Sequence, residues 1–215
     1  MIMQEFSRQR KELVQGMLQR GALKSKNVKQ AFLSVKREEF FPQELLRNAY
    51  VDSAFPIGYG QTISQPSTIG IMLELLEVRK GQKVLEIGAG CGYVLALLSE
   101  LVGKKGSVFG VDLVEELAGL SAKNLANAGY GNIAVRHGDG RQSWLKEAPF
   151  DRILVSAACN EIPAELVEQL AAGGKIVAPV GGRFSQQMYV VEKNADGGIH
   201  QGFAPAGFFV FVPLK

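Results

Sequence analysis

Residues 84–92, VLEIGAGCG, set a short apolar run against an acid and three glycines spaced GxGxG. That order points to a buried strand that ends in a tight turn and feeds straight into a helix. Val84, Leu85 and Ile87 suit a parallel strand covered on both faces, while Gly88, Gly90 and Gly92 let the backbone turn sharply and approach a ligand closely. Tyr93 to Leu101 (YVLALLSEL) then supplies a helix whose first N–H groups point back at the turn.

A second apolar strand, SVFGV at 107–111, ends in Asp112, about twenty residues downstream, where an acid can accept hydrogen bonds from a ribose diol. A dinucleotide fingerprint would read GxGxxG, its glycines making room for a pyrophosphate; here Tyr93 follows GxGxG. The spacing favours a nucleoside without phosphates, such as S-adenosylmethionine. The alternative is a plain strand-to-helix turn of an α/β domain.

Strands and helices alternate downstream. Strand 84–87 leads to helix 93–101, strand 107–111 to helix 115–128, and strand 133–136 to the turn Gly138-Asp139-Gly140. Strand 150–156 leads to helix 163–171, and Gly173-Gly174 precedes the strand KIVAPV. Such alternation implies an α/β fold with right-handed crossovers and a mostly parallel sheet flanked by helices on both faces. Ligands in such sheets sit at the carboxyl ends of the strands, where Gly88, Asp112, Asp139 and Ser156 all fall.

The ends of the chain read differently. Residues 3–20 and 27–38 carry apolar residues at helical spacing, with the lysines of 24–37 on a solvated face. Pro42 and Pro56 break the chain before GYGQTISQP at 58–66, after which Ile69, Met72, Leu73 and Leu76 share one face of a helix begun by Pro66. Residues 188–191 and 208–212 read as strands joined by a glycine turn at 197–198. The expectation is one domain over 1–215, with 1–60 as a helical extension packed on it and 188–215 as strands contributing to the substrate site.

Composition narrows the partners. Twenty-four basic residues against 21 acidic ones leave +3 with no dense block, so nucleic acid is not an expected partner. No run approaches the roughly 18 apolar residues of a membrane span, and MIMQEFSRQR has no apolar signal region. Two cysteines, Cys91 and Cys159, provide neither a disulfide framework nor a zinc cluster. These features suit a cytoplasmic, metal-free, monomeric protein.

Several separated segments, in order from about Glu38 to Leu214, resemble the protein-L-isoaspartate (D-aspartate) O-methyltransferases. They are REEFFPQELLRNAYVDSAFPIGYGQTISQP, VLEIGAGCGY, NLANAGYGNIAVRHGDG with Trp144, FDRILVSAACNEIP with LVEQLAAGGKIVAPVG, and FVPL. The block around GYGQTISQP separates this family from other methyltransferases. The resemblance implies a class I, Rossmann-like S-adenosylmethionine-dependent enzyme, with S-adenosylhomocysteine as product. Its acceptor is the α-carboxylate of L-isoaspartyl, and also D-aspartyl, residues in damaged proteins; the ester then collapses to a succinimide. A free carboxylate, with a pKa near 4, is already nucleophilic at neutral pH, so no general base is needed. No His/Asp or Cys/His pair is evident, in keeping with that.

By the same resemblance Ser64, in Thr62-Ile63-Ser64, matches the catalytic serine. Its place before a helix N-terminus suits an anionic acceptor, and its own reading as an N-cap or turn serine stands beside that. Implied at the cofactor are Ile63, Ser64, Glu86, Gly88, Ala89, Gly90, Gly92, Asp112, Leu113, Asp139 and Gly140; implied at the substrate are Thr62, Ala157, Ala158, Val212, Pro213 and Leu214. Asp139 either meets the adenine amine or closes an Asx-type turn. Glu86 either braces the glycine loop through backbone N–H groups or simply ends the strand. Leu113 packs on adenine or joins the core, and Val212 to Leu214 receive substrate backbone by strand-like pairing. His137 and His200 have no recognisable partner and read as structural or exposed.

The sequence departs from the family pattern at Val210, where arginine is frequent, at Ser67 and Thr68, where larger residues are common, at Ser143, where glycine is usual, and at Cys159-Asn160. These changes touch acceptor preference rather than the cofactor loop. Competing readings are a non-catalytic isoaspartyl-binding relative and a methyltransferase for another carboxylate or small molecule. SAACNEIP lacks both the Asn/Asp-Pro-Pro-aromatic motif and the Pro-Cys nucleophile of nucleic-acid methylases.

Overall fold

The computed structural model describes residues 2–142 and 144–214. Its centre is a seven-stranded sheet in the order β5-β4-β3-β6-β7-β8-β9. The strands are β3 Lys83–Ile87, β4 Ser107–Asp112, β5 Ile133–His137, β6 Phe150–Val155, β7 Leu170–Gly182, β8 Ser185–Lys193 and β9 Ile199–Phe209. Strands β3 to β7 run parallel, and β8 and β9 add antiparallel. The helices between them are α3 Pro66–Leu76, α4 Tyr93–Val102, α5 Glu115–Asn127 and α6 Ala164–Glu168.

Side-chain alternation divides β3 between two cores, because successive residues of a strand face opposite sides. Val84 packs with Leu154, Val177 and the helical residues Leu95, Leu98 and Leu73. Leu85 and Ile87 pack on the other face with Ile153, Val155, Ile176 and Leu166. Strand β3 is therefore apolar on both faces apart from Lys83 and Glu86, as suits a doubly covered strand. Its neighbours are β4 on one side and β6 on the other, so the chain reverses its direction of winding there and opens a crevice at the strand ends.

Three expectations are corrected. The helix expected to reach 171 ends at Glu168, because Leu170 pairs with Phe150, and after an irregular stretch Lys175 pairs with Arg152. Pairing across the sheet overrides the helical leaning of Ala171-Ala172. The last strand occupies Ile199–Phe209 rather than 208–212; beyond it residues 210–214 form an extended tail bridged to Ala158 through Pro213. The N-terminal 60 residues are not wholly helical: α1 Ile2–Gln19 and α2 Lys26–Ser34 are followed by 3-10 turns at Arg37–Phe40 and Gln43–Asn48 and by strand β1 Phe55–Gly58, which pairs with β2 Gln61–Ile63.

Candidate functional site

The glycine loop is tied to the neighbouring strand before any ligand is considered. The Gly88 and Ala89 N–H groups both donate to the Val111 carbonyl, at 2.8 and 3.0 Å. Asp112, 8% exposed, accepts the Gly90 N–H through Oδ2 at 2.8 Å and the Val114 N–H through Oδ1 at 2.9 Å. Gly88, Gly90 and Gly92 hold φ of 88°, 52° and 90°, the left-handed turn that a side chain resists.

Bracing by Asp112 corrects the expectation for Glu86. Its Oε1 accepts the Ser156 hydroxyl at 2.7 Å, and its Oε2 is buried without a partner. Glu86 is neither a brace for the loop N–H groups nor merely a polar strand end. Burial pushes this carboxyl well above the usual carboxylate range; the Ser156 hydrogen bond opposes the rise and the nearby Asp112 charge adds to it.

Beside the loop lies a cavity of about 280 Å³ whose wall includes Gly88, Asp112, Leu113, Gly138, Gly140 and Val212. A Cβ on Gly140 would stand 2.3 Å from Ile87 Cγ2, so the floor is as low as the backbone allows. The Asp112 carboxylate uses two of its roughly four acceptor sites on backbone N–H groups, and it lines the cavity. Leu113, 46% exposed, stands at the wall rather than in the core, and no described residue of the lining is cationic. These residues fit a nucleoside and offer nothing for a pyrophosphate.

Asp139 closes a local turn. Its Oδ1 accepts the Arg141 N–H at 2.9 Å, and its carboxylate faces the Arg141 guanidinium at 2.6 Å, which holds it below the usual range. Gly138 and Gly140, on either side, reach the cavity. Ile63 and Ala89 are buried at 3% and 4%, and Ala157 at 7%.

A second cavity, about 320 Å³, includes Thr62, Ser64, Thr68, Ser156, Val210 and Val212. Val212 thus borders both spaces. The tail carrying it is pinned by Gln186 Oε1, which accepts the Phe211 N–H at 2.8 Å, and by Ala158. Ala158 donates to Val212 at 2.8 Å and accepts the Leu214 N–H at 2.7 Å. The strand-like pairing expected for substrate is therefore made, at Ala158, by the chain with itself.

Ser64 is not the cap of α3. Gln65 holds the cap position with no side-chain hydrogen bond, and the helix end is served by Asp52, which accepts the Ser67 N–H at 2.8 Å and the Ser67 hydroxyl at 2.5 Å. Arg20 pairs with Asp52 at 2.7 Å. The helix terminus already faces a carboxylate, contrary to the expectation that it waits for an anionic acceptor. Ser67, one of the departures, is spent on this cap, whereas Thr68 and Val210 face the second cavity. Ser143 lies outside the described residues.

The Ser64 carbonyl instead accepts Arg37 Nη2 at 2.9 Å, and Arg37 Nε donates to the Ala49 carbonyl at 2.9 Å. Arg37 is completely buried, its guanidinium 4.7 Å from the Tyr93 ring centroid and 5.4 Å from that of Phe41. The lysines around it, Lys24, Lys26, Lys29 and Lys36, are exposed as expected. Sequence reasoning missed Arg37, Asp52 and Gln186. Only Val35 and Phe40, apolar residues flanking Arg37, hinted that this part of the basic run turns inward.

Elsewhere the chemistry is sparse. His137 and His200 are exposed. Cys91 and Cys159 are buried free thiols, each pushed up to about 11 by burial. Among the described residues no group of three His, Cys, Asp or Glu is placed to hold a metal, and no helix is long and apolar enough to cross a membrane.

Comparison with known proteins places this geometry. The chain is 47% identical over 210 residues to the protein-L-isoaspartate O-methyltransferase of Methanopyrus kandleri, covering 97% of this chain and 92% of the relative. It is 42% identical over 211 residues to protein-L-isoaspartate O-methyltransferase 2 of Archaeoglobus fulgidus, covering 98% and 94%. It superposes with a TM-score of 0.81 and 25% identity on the crystal structure of a Plasmodium falciparum protein-L-isoaspartate O-methyltransferase in complex with S-adenosyl-L-homocysteine, covering 95% of this chain and 97% of that one. With the family model for protein-L-isoaspartate(D-aspartate) O-methyltransferase matching residues 8–215, the chain belongs to that family of S-adenosylmethionine-dependent enzymes.

Proposed function

We propose that the two cavities joined at Val212 form one methyltransferase site, with the nucleoside space holding the donor and the Ser64 space holding an isoaspartyl α-carboxylate. The activity is methyl transfer from S-adenosylmethionine to isoaspartyl residues of proteins and peptides, the first step of their repair through a succinimide. S-adenosylmethionine, when bound, supplies an electrophilic methyl on a sulfonium.

The chain's own residues then have three tasks. Asp112 accepts from the ribose diol while keeping the Gly90 loop in place, and Gly88, Ala89, Gly90 and Gly92 bring backbone against the donor. Leu113 covers the adenine face; Gly140, with Asp139 beside it, frames the adenine edge; and Ile63 and Glu86 belong to the buried shell behind the two spaces. Ser64 and Thr62 direct hydroxyls at the carboxylate, which needs orientation rather than deprotonation. Ala157, on the wall of the nucleoside space, and Ala158, which holds the tail, keep the neighbouring wall low, and Val212, Pro213 and Leu214 screen the meeting point from water.

The reading extends to the whole molecule. Residues 1–215 act as one domain, 1–60 walling the acceptor side and 188–215 contributing its outer edge. We read the protein as a cytoplasmic monomer acting on free protein; a net charge of only +3 without a dense basic block supports a partner other than nucleic acid.

The observation that carries this reading is the shared Val212 wall, which sets the Ser64 space directly beside the nucleoside space. The test uses one peptide in isoaspartyl and ordinary aspartyl forms, with labelled donor, wild type and Ser64→Ala. Base-labile label is expected in the isoaspartyl form alone and strongly reduced by the substitution. Equal labelling of both forms overturns the repair assignment, and undiminished labelling by the variant removes Ser64 from its role.

A further inference from the structure

The acceptor just assigned is an anion, yet no described residue lining the Ser64 cavity carries a charge. A carboxylate leaving water for such a space needs a compensating positive potential. The usual source, the N-terminus of the following helix, is taken: Asp52, itself paired with Arg20 at 2.7 Å, accepts the Ser67 N–H and fills that end of α3 with the chain's own carboxylate. Beyond Arg20, whose charge Asp52 balances, two cations among the described residues stand near the space. Arg183 is exposed at the rim, its guanidinium 5.7 Å from the Phe184 ring centroid. Arg37 lies behind the wall, completely buried and bonded directly to the Ser64 carbonyl at 2.9 Å.

Arg37 makes no ion pair with any described residue. Its neighbours are the carbonyls of Ala49 and Ser64 and the faces of Tyr93 and Phe41. Those groups tolerate a cation without neutralising it, and arginine keeps its proton even when buried. A buried charge reached through protein rather than through solvent is poorly screened, so its field persists at the far side of Ser64. We propose that Arg37 is the electrostatic positioning residue of the acceptor site: an uncompensated buried guanidinium that draws the substrate carboxylate to Ser64 while fixing that residue's backbone.

This inference rests on the Ser64 cavity receiving a carboxylate, and its test needs no turnover. Binding of a labelled isoaspartyl peptide is compared with that of the same peptide bearing a carboxamide in place of the isoaspartyl α-carboxylate, by fluorescence anisotropy in the presence of S-adenosylhomocysteine. Wild type is expected to favour the carboxylate about tenfold, and to keep that preference between about 0.05 and 0.5 M salt. Arg37→Lys, which keeps the charge, should retain it within about threefold; Arg37→Gln, which keeps a donor for the Ser64 carbonyl but no charge, should lose it. S-adenosylhomocysteine affinity, measured by calorimetry, should stay within about twofold in both variants.

Equal preference in the Lys and Gln variants would reduce Arg37 to a prop for the backbone and overturn the proposal. A wild-type preference that vanishes with salt would assign the field to Arg183 instead, and decides the matter even where Arg37→Gln does not fold. Lack of methyl incorporation into every isoaspartyl peptide, by contrast, strikes the assigned activity and leaves the binding preference to be read by itself.

Discussion

The Ser156 hydroxyl donates to Glu86 Oε1 at 2.7 Å, reaching from the end of β6 to a carboxyl whose other oxygen has no partner. Burial raises the Glu86 pKa, so the folded chain holds this proton more tightly than the unfolded chain does. The stability it contributes is therefore fully present below the ordinary carboxylate value and is lost as pH rises through the folded one. Glu86→Gln keeps an acceptor for Ser156 and removes the charge. It should raise stability by on the order of 1 kcal/mol at pH 8 and change it little at pH 4, a difference that thermal melts across that range will read.

Asp112 serves two backbone donors on different segments, Gly90 and Val114. Asn can accept with only one of its two terminal atoms, so Asp112→Asn leaves one N–H facing another donor. A stability loss of about 1–3 kcal/mol by denaturant titration should accompany at least a tenfold loss of S-adenosylhomocysteine affinity.

Gly140 tests the floor of the nucleoside cavity. Any Cβ there meets Ile87 Cγ2 at 2.3 Å, and Ile87 is itself 3% exposed in the core. Gly140→Val should weaken S-adenosylhomocysteine binding by about tenfold or more while far-ultraviolet circular dichroism stays that of the parent, overpacking costing about 1–3 kcal/mol.

Val210 is 76% exposed and borders the Ser64 cavity. Placing a cation there adds a screened surface charge. Val210→Arg should lower KM for isoaspartyl peptides with acidic neighbours by about two- to fivefold at low salt, with no change in kcat. An unchanged ratio of acidic to neutral peptides would show that position 210 does not face the acceptor.

The parallel half of the sheet was legible because its signals are local. VLEIGAGCG carries strand and turn up to the start of α4, SVFGVD carries the next strand with the acid that ends it, and the glycines at 88, 90 and 92 adopt the positive φ that their spacing implies. Strand β7 was only half legible: its register with β6 depends on Phe150, twenty residues away, which Ala171-Ala172 could not announce. The same holds for the site. Ser64 and Asp112 could be found by motif, but what they do locally was decided by partners distant in sequence. Asp52 took the helix end, Asp112 took the loop for which Glu86 was one candidate brace, and Arg37 left a basic run for the interior. Buried polar partners are chosen by the assembled fold, and a linear pattern shows the type of residue without its mate.

The tail from Val210 to Leu214 belongs to no strand, hanging from Gln186 and Ala158 by three hydrogen bonds. Its exchange with solvent can thus proceed without opening the sheet, a local event far less demanding than global unfolding. A substitution in this tail can therefore change one wall of the Ser64 cavity while the glycine loop and its Asp112 anchor stay as they are.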